Sequence, residues 1–245
     1  MMAHKYVNSL RCRFLRHRPD SKGKPVGDGG TLRYQAVFED PTAWRIWVAA
    51  TISYLGDFVG LGALLLAGYE RSGGHALGSA AVFGIQAVPA FAVSAGIGPW
   101  LDRIPRRSGL IILSLTGAAA VSLPIVASGL WAVLVAAAII GGIRTAFNSI
   151  RTGAIADGVP RDVRGRLVAL VTVSNQVSEV LGYIAGSAVA IVIGAGPALG
   201  ADAATFVAAA VLLAGLMLPP PSRSRARASM TTGIRTIFGD RTLAL

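Results

Sequence analysis

The chain has 245 residues, of which 53% are hydrophobic and 14% charged, against roughly 25% charged in ordinary soluble domains. Twelve acidic residues cannot solubilise that much apolar surface, and 30 glycines without a triplet period exclude collagen. The net charge of +11 sits on basic residues between long apolar runs, not on one face of a water-soluble fold, so nucleic acid is excluded as a partner.

Residues 1–42 are polar and basic, with Lys5, Arg11, Arg13, Arg16, Arg18, Lys22, Lys24 and Arg33, followed by a glycine-rich patch at Gly27–Gly30. This stretch reads as a disordered cytoplasmic tail, with too little apolar surface to offset ordering. Cys12 is alone, so there is no intrachain disulfide, and His4, His17 and His75 lie too far apart to suggest a metal site. No cofactor motif occurs.

Apolar segments then follow one another. A bilayer core ~30 Å thick needs about 20 helical residues per crossing. Spans fall near 44–68, 77–101, 109–127, 130–150, 167–194 and 199–218. Spans three and four leave room only for a tight hairpin, with Ser128-Gly129 as the turn. The expected fold class is therefore an all-α membrane protein, a six-helix bundle over residues 43–218. After Leu218, Pro219-Pro220-Pro221 stops the helix, and residues 219–245 read as a basic loop running into the start of a truncated seventh helix.

Every Lys and Arg except Arg71 falls in the tail, in alternate loops on one side of these spans or, for Arg45 and Arg144, within spans one and four toward that side. With the positive side cytoplasmic, the amino terminus is inside and an even number of crossings returns the chain there. A bacterial inner membrane is the expected location.

Three stretches resemble the major facilitator superfamily, and within it the bacterial exporter branch that includes the enterobactin-type exporters. The first is Gly98-Pro99-Trp100-Leu101-Asp102-Arg103-Ile104-Pro105-Arg106-Arg107, between spans two and three. Gly98, Asp102, Arg103, Arg106 and Arg107 match the family loop, Pro105 replaces its second glycine and Trp100 its usual leucine. The second is Ser53-Tyr54-Leu55-Gly56-Asp57 in span one. The third runs from Arg144 to the end of span six and includes Ala156-Asp157-Gly158-Val159-Pro160-Arg161, Asn175, Gly182 to Gly186 with Tyr183 in place of a proline, and Asp202-Ala203-Ala204-Thr205-Phe206. The resemblance implies the amino-terminal half of a transporter that works by alternating access, completed by a missing carboxy-terminal half or by a second copy. It also implies a cytoplasmic gating motif in which Asp157 and Arg161 join the matched loop residues.

Ionisable residues within a membrane are costly and are functional candidates by default. Asp57 lies about 13 residues into span one and Glu179 about 12 into span five, both near mid-depth at ~1.5 Å per residue. Arg144 lies in span four, with Asn148, Arg151 and Thr152 continuing its face. In span five Thr172, Gln176, Glu179, Tyr183 and Ser187 recur at intervals of three and four and so form one polar stripe. Such stripes suit the wall of a water-filled cavity. A carboxylate there, Asp57 or Glu179, can couple proton entry to the exit of a small amphipathic molecule, with Arg144 tuning the charge. The structural alternative pairs Arg144 with Asp57 or Glu179. Gly182, Gly186, Ala190 and Gly194, and Gly56 with Gly60, are spaced for close helix packing. Asp202 reads as a helix cap at the outer mouth of span six, and Asp157 as the centre of a salt-bridge cluster with Arg161, Arg164 and Arg166.

An intramembrane enzyme is not indicated: Gly-x-Ser-x-Gly, His-Glu-x-x-His and paired membrane aspartates of the protease kind are absent. The remaining alternative is a truncated, non-transporting scaffold or remnant. Reporter fusions after Glu70 and after Ser128 should both report the non-cytoplasmic side. Cytoplasmic signal from both would overturn the span assignment.

Overall fold

The computed structural model describes residues 31–97, 101 and 104–216. The chain divides into two compact units, residues 1–34 and 35–245, and of the first only the start of a helix is described. The polar tail before residue 31 and the segment 219–245 lie outside the described residues, as do Gly98, Asp102 and Arg103.

The described elements are α1 (Thr31–Glu39), α2 (Pro41–Arg71), α3 (Ala76–Ile85), α4 (Ala87–Ala92), a π-helical turn (Val93–Ile97), α5 (Arg106–Val126), α6 (Leu130–Gly158), α7 (Arg161–Ile193) and α8 (Ala195–Ala214). No strand occurs among them. Five stretches, Pro41–Arg71, Ala76–Ala95, Arg106–Val126, Leu130–Gly158 and Ala195–Ala214, are long and apolar enough to cross a bilayer. α7 makes a sixth when its two arms, which meet at 44°, are taken as one span. The expected half-bundle is present.

Local chemistry explains the breaks. Asp40 caps α2: its Oδ1 accepts from Thr42 N at 2.9 Å and Ala43 N at 2.7 Å, and Pro41 sits at the first helical position, where no amide is missed. α3 ends at Ile85 because the ring of Pro89 cannot pass the carbonyl four residues earlier. Gly73 and Gly74 take φ of 76° and 81° in the loop after α2, and Gly194 takes 90° between α7 and α8. Gly194 is thus a turn residue, and the small-residue packing face of α7 stops short of it.

The reading of 1–42 as a disordered tail fails for its last part. Thr31–Glu39 are helical, Val37 is fully buried, and the Phe38 ring meets Trp47 edge-on at 5.4 Å. Two aromatic side chains at the start of α2 give this short helix a partner, a contact that residue composition alone does not reveal.

α2 is the central element, packing most extensively on α7 and α8 and also touching α3 and α6. Glycine permits that. A Cβ on Gly62 would lie 2.9 Å from the Gly186 backbone, and one on Gly186 would lie 2.8 Å from Phe58 O. α5 completes the bundle between α8 and α6. Two apolar clusters result. One, including Ile46, Leu110, Ile150 and Leu213, lies toward the basic end where α2 begins. The other, including Leu64, Val121, Val133 and Leu199, lies toward the far end.

Gly62→Val should lower the apparent melting temperature of the detergent-solubilised chain, since forced overpacking costs about 1–3 kcal/mol. Gly84→Ala should leave it unchanged or raise it, because a Cβ there meets nothing within 4 Å. Equal behaviour of the two variants would contradict the close approach of α2 and α7.

Candidate functional site

A polar layer separates the two apolar clusters. α2 brings Ser53 and Asp57 to it, α6 brings Arg144 and Asn148, α7 brings Asn175 and α8 brings Asp202. Asp57 is buried in α2 because the facing helices come close enough to cover it. Arg144 Nε lies 3.8 Å from Asp57 Oδ2, and the Arg144 guanidinium stands over the Phe58 ring at 5.2 Å from its centroid. An ion pair in a low-dielectric layer is strongly constrained, because separating the partners would leave each charge uncompensated. Asp57 Oδ1 is buried with no hydrogen-bond partner.

This pair lines a cavity of about 60 Å³ together with Ser53, Tyr54, Asn148 and Asn175. The volume admits a few waters, not an organic molecule. Arg144 and Asn148 also border a second, open-sided cavity of about 400 Å³ whose other walls include Leu61, Phe83 and Gln86. That size lies within the ~300–1,000 Å³ typical of ligand pockets. Gly141 makes room for the second cavity's wall, since a Cβ there would collide with the backbone of Gln86 where α3 ends.

One turn toward the basic end, the Tyr54 hydroxyl lies 3.4 Å from Asn148 Oδ1 and accepts a bond from Arg151 Nη1. The Arg151 guanidinium stacks on the Tyr54 ring at 5.2 Å. Its Nε is buried and unpartnered.

Of the candidates from the sequence, Asp57, Arg144 and Asn148 meet in this layer. Glu179 is half-buried on α7 and is not among the residues lining either cavity; Arg144 faces Asp57, not Glu179. Gln176 is exposed on the same helix, and the side chain of Tyr183 lies outside the described residues. Asp202 is the residue that sequence reasoning misplaced. It is no cap: α8 begins at Ala195, and Asp202 lies two turns inside with 2% exposure, accepting from Thr205 Oγ1 at 3.4 Å. Its signal was the pair Gly56 and Gly60, whose bare backbone accommodates it.

At the basic end, Arg106 is 97% enclosed and pairs with Asp157 at 3.4 Å between Arg106 Nε and Asp157 Oδ2. Gly153 leaves room for that guanidinium. Asp157 thus gains Arg106 from α5 as a partner, while Arg164 Nε donates to Val159 O at 2.6 Å and Arg161 is exposed. Arg107 donates to the Ala214 carbonyl at the end of α8.

No curated protein matches the chain. The family model of the Major Facilitator Superfamily matches residues 36–245, which covers the bundle, both halves of the Arg106–Asp157 pair and the buried layer around Asp57. By that match and its half-bundle of apolar helices, the chain belongs to the Major Facilitator Superfamily, a superfamily of membrane transporters.

Proposed function

We propose that this chain is the amino-terminal half of an ion-coupled exporter of small amphipathic molecules, working by alternating access in a bacterial inner membrane with its amino terminus in the cytoplasm. The observation that carries the reading is the mid-span pair of buried Asp57 with part-exposed Arg144, bordering both a water-sized cavity and a larger open one. Asp57 is the coupling carboxylate, and Arg144 balances its charge. Asn148 and Gln86 supply hydrogen bonds, and Phe83 and Leu61 the apolar contact, that an amphipathic molecule needs. The buried Arg106–Asp157 pair ties α5 to α6 at the cytoplasmic end and resists opening there. Gly98, Asp102, Arg103, Arg107 and Arg161 belong to the same gate.

A second bundle, from a carboxy-terminal half or another copy, closes the open side. What supports this is the polar stripe on α7. Gln176 is exposed in a span of apolar neighbours, and lipid cannot satisfy its amide, whereas the exposed Thr172 donates to Val168 O at 2.9 Å. Glu179 stands on that stripe as a second coupling candidate.

Two measurements test the reading. In inverted membrane vesicles energised by an imposed proton gradient, Asp57→Asn should reduce uptake of a fluorescent amphipathic dye about tenfold, the scale of a coupling energy of 1–3 kcal/mol. Undiminished proton-driven uptake in both Asp57→Asn and Glu179→Gln would remove the carboxylates from the mechanism. In a chain carrying Cys12→Ser, a cysteine at Gln176 should react with a membrane-impermeant maleimide while one at Ile184, 72% exposed on the apolar face, should not. Protection of Gln176→Cys with labelling of Ile184→Cys would reverse the assignment of α7's faces.

A further inference from the structure

Asp57 and Asp202 stand on different helices, and Gly56 and Gly60, on either side of Asp57 in the sequence of α2, let α8 seat Asp202 against α2. A Cβ on Gly60 would overlap Asp202 Oδ2, and a Cβ on Gly56 would overlap Thr205 Oγ1. The Asp202 carboxylate thus takes up volume that side chains at positions 56 and 60 would have filled, beside Asp57 in the same helix. Both are more than nine-tenths buried, at 8% and 2% exposure. Each feels the charge of the other and of Arg144.

The charges around them do not balance. Arg144 on α6 is the one guanidinium within ion-pair reach of Asp57 among the described residues. Arg151, seven residues further along α6 and so ~10 Å away along the axis, is bonded to Tyr54. α5 carries charge only at Arg106 and Arg107, at its basic end, and α3 and α4 carry none. α7 contributes the neutral Asn175 to the cavity, and Glu179 lies off its lining. Two buried carboxylates therefore share one part-exposed cation, and an uncompensated buried charge is costly.

We infer that Asp57 and Asp202 form a single proton-binding site, the two carboxylates holding one proton between them against the guanidinium of Arg144. The inference rests on the coupling role proposed for Asp57 and adds the partner and the stoichiometry. The proton arrives from water in the small cavity at Asp57 and leaves the same way, with no covalent bond formed or broken beyond O–H. With it the site is neutral. Without it α2, α6 and α8 share an excess negative charge, a local electrostatic change able to bias one helix arrangement over another.

Infrared difference spectroscopy of the full chain in lipid vesicles, stepped in pH, reads neutral carboxyl groups directly. The wild-type chain should show one titrating carboxyl band that Asp57→Asn and Asp202→Asn each abolish, because either substitution leaves one carboxylate for one guanidinium. Gly60→Ala, which keeps both acids but crowds Asp202, should move the midpoint by about one pH unit or more, a tenfold change in proton affinity. A band lost in Asp57→Asn but intact in Asp202→Asn would overturn the shared site and leave the role of Asp57 standing. A band unaffected by both substitutions would overturn both readings. A midpoint that moves with sodium concentration would overturn the proton as the bound ion.

Discussion

The close approach of α2 to α7 and α8 is the constraint from which the rest follows. Lipid gives helices no hydrophobic reason to associate, so packing and internal polar contacts must do it. Gly62 and Gly186 let α2 and α7 meet at backbone distance, and Gly56 and Gly60 seat the side chains of Thr205 and Asp202 from α8. That distance buries Asp57. Once it is buried, a cation must come to it, and α6 supplies Arg144. The bundle is held by small residues, and what they enclose is charged.

The arrangement also explains why the polar layer lies between two apolar clusters instead of at an end. Leu64, Val121, Val133 and Leu199 seal it on the far side, and Ile46, Leu110, Ile150 and Leu213 on the basic side. Two cavities that share Arg144 and Asn148 border the layer.

The spans were legible because bilayer thickness imposes a length and a composition that few other constraints mimic. Asp57 and Arg144 were legible for the same reason, being charges where charge is expensive. Which carboxylate Arg144 would meet was not, since spacing along α7 and α2 says nothing about which helix turns toward α6. Asp202 was hidden by a boundary error. Hydropathy rises clearly only near Leu199, so an aspartate three residues later looks like a cap, whereas the backbone turns at Gly194 and α8 has completed two turns by Asp202. The glycine spacing on α7 was read one residue too far, because Gly194 shares the interval of four but serves a positive φ. Thr31–Glu39 escaped notice because its partner surface, the tryptophans of α2, is visible only in three dimensions.

The arginines carry a second lesson. Their distribution by side reads as a topological signal, yet several of them end helices. Arg71, the one Lys or Arg at the far end among the described residues, donates to Ala127 O at 2.8 Å and to Gly129 O at 3.3 Å, and also to Pro124 O, closing the end of α5 onto the α5–α6 hairpin. At the basic end Arg45 donates to Gly215 O and Arg107 to Ala214 O, both at the end of α8. The last carbonyls of a helix have no intrahelical partner and sit at the negative end of its dipole, so a guanidinium answers both needs at once. The lone arginine at the far end is therefore no exception to the charge asymmetry. α5 ends at the far side and requires one donor there; α8 ends at the basic side and draws two from a surplus already present. The same count isolates Arg144, the cation at mid-span, which ends no helix and whose ion-pair partner is a buried acid.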